Sequence, residues 1–131
     1  MIVTMVLLLS VMAYIRMSPN APGQWHQPIA GDRDETFKSG AIRIVPAKAE
    51  DFARLHEIAL GWARTRVLAG SVAEGRITYI TRTAFWGFPD FTTIEQRDGR
   101  IALFARLRFG GSDLGVNGKR IDAWLDALAQ G

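Results

Sequence analysis

Two hydrophobic periods divide the chain from Thr36 onward. Ile42, Ile44 and Pro46 alternate with Arg43 and Val45, the two-residue period of a short strand. Residues 49–64 then switch to a helical period. Phe52, Leu55, Ile58, Ala59, Trp62 and Ala63 share one arc, while Glu50, Arg54, Glu57 and Arg64 fill the other. Glu50 and Asp51 fall in the first turn, where the helix dipole favours acids. No Ser, Thr, Asp or Asn stands at the expected N-cap, which leaves the exact start open. His56 lies at the edge of the apolar arc and reads as a half-buried packing residue rather than a base.

Four strands are predicted next, over residues 66–72, 76–83, 91–97 and 100–109. Ala73-Glu74-Gly75 separates the first two, and Asp98-Gly99 joins the last two. Asp-Gly between alternating runs predicts a tight type I′ hairpin, which needs positive φ at both turn positions. That turn sets a register in which Arg97 faces Arg100, Glu95 faces Ala102, Ile94 faces Leu103, Thr93 faces Phe104 and Phe91 faces Arg106. One face then carries Ile94, Ile101, Leu103, Leu107 and Phe109 and needs a cover. The other carries Phe91, Thr93, Glu95, Phe104, Arg106 and Arg108 and is expected to be open. A last amphipathic helix follows, with Leu114, Ile121, Trp124, Leu125 and Leu128 as its stripe. Asp113 is its expected N-cap and Asn117 the rival cap. The element order β-α-β-β-β-β-α predicts an α+β two-layer sandwich: an antiparallel sheet of about five strands with two helices on one face.

The N-terminal part follows neither period. The first 15 residues carry no charged side chain, and Arg16 ends the run. About 20 apolar residues make a spanning helix, so this run reads as a short tilted anchor or a signal segment. Val11-Met12-Ala13 would serve as a cleavage triplet, although no Lys or Arg precedes the apolar stretch. Residues 17–35 hold three prolines, two glycines and no periodicity, which predicts an extended linker. Trp25-His26 interrupts it, placed to sit at lipid headgroups or to tuck back onto the domain. Asp32-Arg33-Asp34-Glu35 lacks the glycine and closing glutamate of a calcium loop and reads as a solvated turn. The organisation is therefore residues 1–16 as anchor or signal, 17–35 as linker and 36–131 as one α+β domain.

Of 131 residues, 48% are hydrophobic and 22% charged, a globular balance. There is no cysteine, which excludes disulfides, thiolate metal sites and cysteine nucleophiles. The net charge is only +3, and the arginines are spread among acids instead of forming the stripe that a nucleic-acid binder uses. No nucleic-acid partner is expected. Dinucleotide, Walker, zincin and nucleophile-elbow motifs are absent. Adjacent Ser112 and Asp113 cannot both align through His56 as a triad. No metal site or cofactor is expected, and an enzyme is the less favoured reading.

The C-terminal half carries GFPDFTTIE, the basic strand Arg106-Leu107-Arg108, and GGSDLGVNGKRIDAWL. These segments resemble the bacterial family known as domain of unknown function 1499. Its members typically show a Phe-Pro-Asp turn, here Phe88-Pro89-Asp90. They also show a closing Ser-Asp-x-Gly-x-Asn-x-x-Arg-Ile segment, here Ser112, Asp113, Gly115, Asn117, Arg120 and Ile121. The short apolar head and Trp-His linker also look like its bacterial members. Ala105 and Leu107 stand where the family commonly places serines, so no role for those hydroxyls transfers. The resemblance brings no established activity. It implies a membrane-tethered domain on the extracytoplasmic, periplasmic side. The Lys/Arg bias of Arg16 and Arg33 points weakly the other way.

Two readings of the closing segment stand side by side. In one it is architectural, with Ser112 and Asp113 capping the helix and Arg120 pairing an acid. In the other, Arg106, Arg108, Ser112, Asp113, Asn117 and Arg120, walled by Phe91 and Phe104, bind an anionic or amphipathic ligand such as a lipid headgroup. The expected function is a membrane-anchored envelope protein with a non-enzymatic binding or accessory role. The alternatives are a protein-interaction subunit using Phe85, Trp86 and Phe88, or a small hydrolase or lipid-modifying enzyme.

Overall fold

The computed structural model describes all 131 residues. In chain order the elements are α1 (Ile2–Met17), α2 (Pro22–Trp25), β1 (Glu35–Phe37), β2 (Gly40–Pro46) and α3 (Asp51–Leu60). Then come β3 (Thr65–Ser71), β4 (Arg76–Arg82), β5 (Pro89–Arg97), β6 (Arg100–Leu107) and α4 (Val116–Gln130). The strands form one antiparallel sheet in the order β1-β2-β6-β5-β4-β3, with α3 and α4 against one face. The α+β plan is as expected, with six strands rather than about five. The additional strand β1 is a three-residue edge paired to β2, too short to leave an alternating pattern.

Every cross-strand pair expected for the last hairpin is present, from Arg97–Arg100 to Phe91–Arg106. Of the turn residues only Gly99 takes a positive φ, at 68°, so the reversal is not the type I′ turn expected. The alternation of both strands holds the register, because a one-residue slip would turn Ile94, Ile101 and Leu103 out of the core. That core joins Phe52, Leu55 and Ala59 of α3 to Ile121 and Trp124 of α4 over Ile77, Tyr79, Ile94, Ile101, Leu103 and Ala105 of the sheet. Gly40 lies so close to β6 that a Cβ there would run into the Ala105 carbonyl oxygen.

The two helices on the sheet, α3 and α4, are shorter than their apolar patterns. α3 ends at Leu60 because Gly61 and the left-handed Arg64 (φ 54°) turn the chain into β3. Trp62 still packs edge-on to Trp124, with ring centroids 6.3 Å apart, so the apolar arc outlasts the helix. α4 starts at Val116, two residues later than expected. Asp113 nevertheless satisfies its first turn, accepting from the Gly115 N–H at 2.8 Å and the Asn117 N–H at 3.2 Å. Asn117 is therefore not the cap; it is fully buried inside the helix. His56 is half-buried, and its Nδ1 lies 2.7 Å from the Tyr79 hydroxyl.

The sheet face expected to be open is covered. Residues 18–34 lie across it as a strap, pinned at intervals by the side chains described below. α1 stands apart: its apolar side chains from Ile2 to Leu9 are exposed, and Ile15 is its one buried residue. Its 16 residues span about 24 Å, and no helix of the structure is long and apolar enough to cross a membrane.

Candidate functional site

Strand alternation places Phe91, Thr93, Glu95, Phe104, Arg106 and Arg108 together on the strap side of the sheet, as the sequence predicts. Their partners are the chain's own residues. Arg106 donates to the Trp25 carbonyl, to Thr93 Oγ1 at 2.9 Å and to the Phe104 carbonyl at 3.0 Å. Its guanidinium sits 4.6 Å from the Phe104 ring centroid and 5.7 Å from that of Trp25. The Trp25 ring stacks on Phe91 at 4.0 Å. Burial pushes the Arg106 pKa down to about 10, so the cation persists at neutral pH with no carboxylate partner. Arg108 donates to Asn20 Oδ1, to the Pro19 carbonyl at 2.8 Å and to Ser18 Oγ at 2.9 Å. No surface cleft is lined by Arg106 or Arg108.

Glu95 and Arg97 hold the other end of the strap. Glu95 accepts from Arg76, Arg97 and the Ile29 N–H, while Arg97 donates to the Ile29 and Gly31 carbonyls. His26 bridges Thr78 Oγ1 and Glu74 at 2.9 and 2.8 Å, against Gly70, where a Cβ would crowd the imidazole. Burial by itself would raise the Glu95 carboxyl. The hydrogen bonds from Arg76, Arg97 and Ile29 outweigh it and hold the group below the usual carboxylate range. A carboxylate with a depressed folded-state pKa adds stability above its unfolded value, near 4.3, and loses it as pH falls through the folded value. Acidification below pH about 4 is therefore expected to free the Ile29 end of the strap before the core melts. Amide exchange of Ile29, followed against that of Leu103, measures it; equal acceleration at both would contradict a local release.

Ser112, Asp113, Asn117 and Arg120 gather on the opposite side of the sheet, with the helices. Arg120 lies 3.3 Å from Asp90 and donates to Asn117 Oδ1 at 2.7 Å. Both charged side chains of that pair are about nine-tenths buried. Burial raises the Asp90 carboxyl, and Arg120 opposes it. Ser112 accepts from the Leu114 N–H at 3.3 Å. A cleft of about 290 Å³ borders Asp90, Ser112 and Asp113. The eight residues read as one ligand set thus fall in two groups on opposite faces of the sheet.

A third cluster escaped the sequence reading. Arg16, Arg64, Arg66 and Arg82 line a cleft of about 360 Å³, floored by Ile80 at the end of the sheet where α1 docks. None of the four forms an ion pair. Arg16 donates to the Phe85 carbonyl at 2.6 Å, Arg64 to the Arg82 carbonyl at 3.0 Å and Arg82 to the Gly87 carbonyl at 2.8 Å; Arg66 is exposed. Burial, and then the charges of Arg66, Arg16 and Arg108, push the Arg82 pKa below its ordinary value. Registering the β3–β4 hairpin through its Ala73-Glu74-Gly75 turn would have set Arg66 opposite Thr81; a bulge between Val67 and Ala69 shifts the register by one and places Arg66 opposite Ile80 instead. Nothing local links Arg16 to them.

No curated protein matches the chain. A family match covers residues 14–128, from the foot of α1 through the strap to the last turn of α4. The chain belongs to the family described as Protein of unknown function (DUF1499).

Proposed function

We propose that this is a membrane-anchored envelope protein, its domain on the extracytoplasmic side, serving as a non-enzymatic binding or accessory domain for an anionic or amphipathic ligand. The observation that carries the reading is the form of α1. It is apolar all round, with no polar face to set against water, and it projects from the domain instead of packing into it. Only its last turns touch the domain, where Ile15 is buried, Tyr14 meets Phe109 edge-on and Arg16 holds the 83–88 loop. Phe85, 68% exposed, lies at that same foot. An apolar rod with aromatics and an arginine at its base matches the layering of a bilayer interface. The exposed Phe85 also suits a second reading, a subunit that docks on another envelope protein.

The test is partition of the full chain into phosphatidylcholine vesicles by co-sedimentation. A charge at the centre of an inserted helix costs about 3 kcal/mol, so Leu8→Lys is expected to lower partition by roughly 100-fold. Leu8 is exposed on α1, whose one buried residue is Ile15, so the domain should melt unchanged. Unaltered partition in Leu8→Lys, or none in the wild type, would reject a bilayer tether.

A further inference from the structure

We infer that the cleft lined by Arg16, Arg64, Arg66 and Arg82 is a binding site for the phosphate of an anionic lipid headgroup, placed at headgroup depth by α1. The inference rests on the bilayer tether proposed above and adds the ligand and its residues.

Composition is the first support. Four cations converge on one concavity and none has a carboxylate partner. Elsewhere in the molecule Arg33, Arg43, Arg54, Arg76, Arg97 and Arg120 are matched with acids, Arg106 and Arg108 are bonded to the strap, and the exposed Arg100 has neither partner. Guanidinium groups on one cleft repel each other, and an anion there would relieve that repulsion. Arg forks also match the paired oxygens of a phosphate.

The second support is backbone geometry. Arg64 sits in the left-handed region at φ 54°, a conformation that suits glycine and costs a β-branched or long side chain about 1 kcal/mol. The chain accepts that strain where the turn from α3 delivers a guanidinium to the cleft rim. The third support is position. Arg16 belongs to the last turn of α1, so the cleft begins where the apolar rod ends. Exposed Phe85 borders the same level, because its carbonyl is the acceptor for Arg16. Apolar Ile80 forms the floor, beside its β5 partner Phe91. A lipid whose tails lie alongside α1 would present its phosphate at this height.

The experiment compares binding of the full chain to phosphatidylcholine vesicles with binding to equimolar phosphatidylcholine and phosphatidylglycerol vesicles, at low salt. The wild type is expected to prefer the anionic vesicles. Arg66→Gln removes an exposed side chain that props nothing, and should cut the preference about fivefold; with Arg82→Gln the loss should reach about 25-fold. Binding to pure phosphatidylcholine should not move. Arg100→Gln removes an exposed charge at the opposite end of the sheet and is expected to have little effect. Competition by soluble glycerol phosphate, lost in Arg66→Gln, would keep the phosphate site and assign it to a free compound. Equal losses in Arg66→Gln and Arg100→Gln would reduce the attraction to diffuse charge and overturn the site. Equal wild-type binding to both vesicles would overturn the site alone, and binding to neither would overturn the tether with it.

Discussion

Arg120→Ala is expected to cost about 3–5 kcal/mol, lowering the midpoint of thermal unfolding by on the order of 15 °C. The Arg120–Asp90 pair is about nine-tenths buried on both sides, so removing one partner strands the other charge in the interior. It also strips the hydrogen bond that Arg120 donates to Oδ1 of buried Asn117. The sign of the pH dependence follows. Burial already raises the Asp90 carboxyl, and Arg120 is what restrains it. Without Arg120 the folded-state value rises further above the unfolded one. Such a group stabilises the fold fully below its unfolded pKa and loses that contribution as pH rises through the folded pKa. The variant should therefore be most stable in mild acid and weaken toward neutrality. Replacing both partners by apolar residues of similar volume, Asp90→Leu with Arg120→Met, should recover more than half of the loss. Urea unfolding at two pH values measures all three. A variant as stable as the wild type would show that the closing segment is not architectural.

The last hairpin was legible because two signals agreed: a two-residue turn and an unbroken alternation on either side. Together they fixed which face Arg106 and Arg108 occupy, even though the turn itself is of another type. The helices were legible as apolar arcs but not at their ends, since Trp62 continues the arc after Gly61 has ended α3. The strap was not legible. It has no period, and beside the side chains of Ser18, Asn20, Trp25 and His26 its anchors include carbonyl groups at Pro19, Trp25, Ile29 and Gly31, which every residue owns. A reading from side chains sees the arginine donors and must guess the acceptors. The arginine cleft was hidden for a related reason: it draws on α1, the turn after α3, the bulged β3 and β4, and only the folded chain brings these together.

Arg106→Ala should release the strap rather than unfold the domain. Arg106 is gripped between Trp25 and Phe104 and supplies the only hydrogen bond to the Trp25 carbonyl. Alanine removes the stacked stem, leaves a void beneath Trp25 and orphans a carbonyl. Losing a charged hydrogen bond and that packing amounts to about 3 kcal/mol. The loss falls on a segment that opens locally, so Ile29, whose N–H is tied to Glu95 further along the same strap, should exchange roughly 100-fold faster. Core amides such as Leu103 should hardly change. Arg106→Met separates the two contributions. It retains an apolar stem between the rings but donates nothing, so its effect on Ile29 exchange should lie well short of alanine's. Equal acceleration in both variants would assign the strap's hold to the hydrogen bond alone. If Ile29 exchange in Arg106→Ala matched the wild type, this arginine would not be what binds the strap, and the covered face would be held by Glu95, Arg97 and His26.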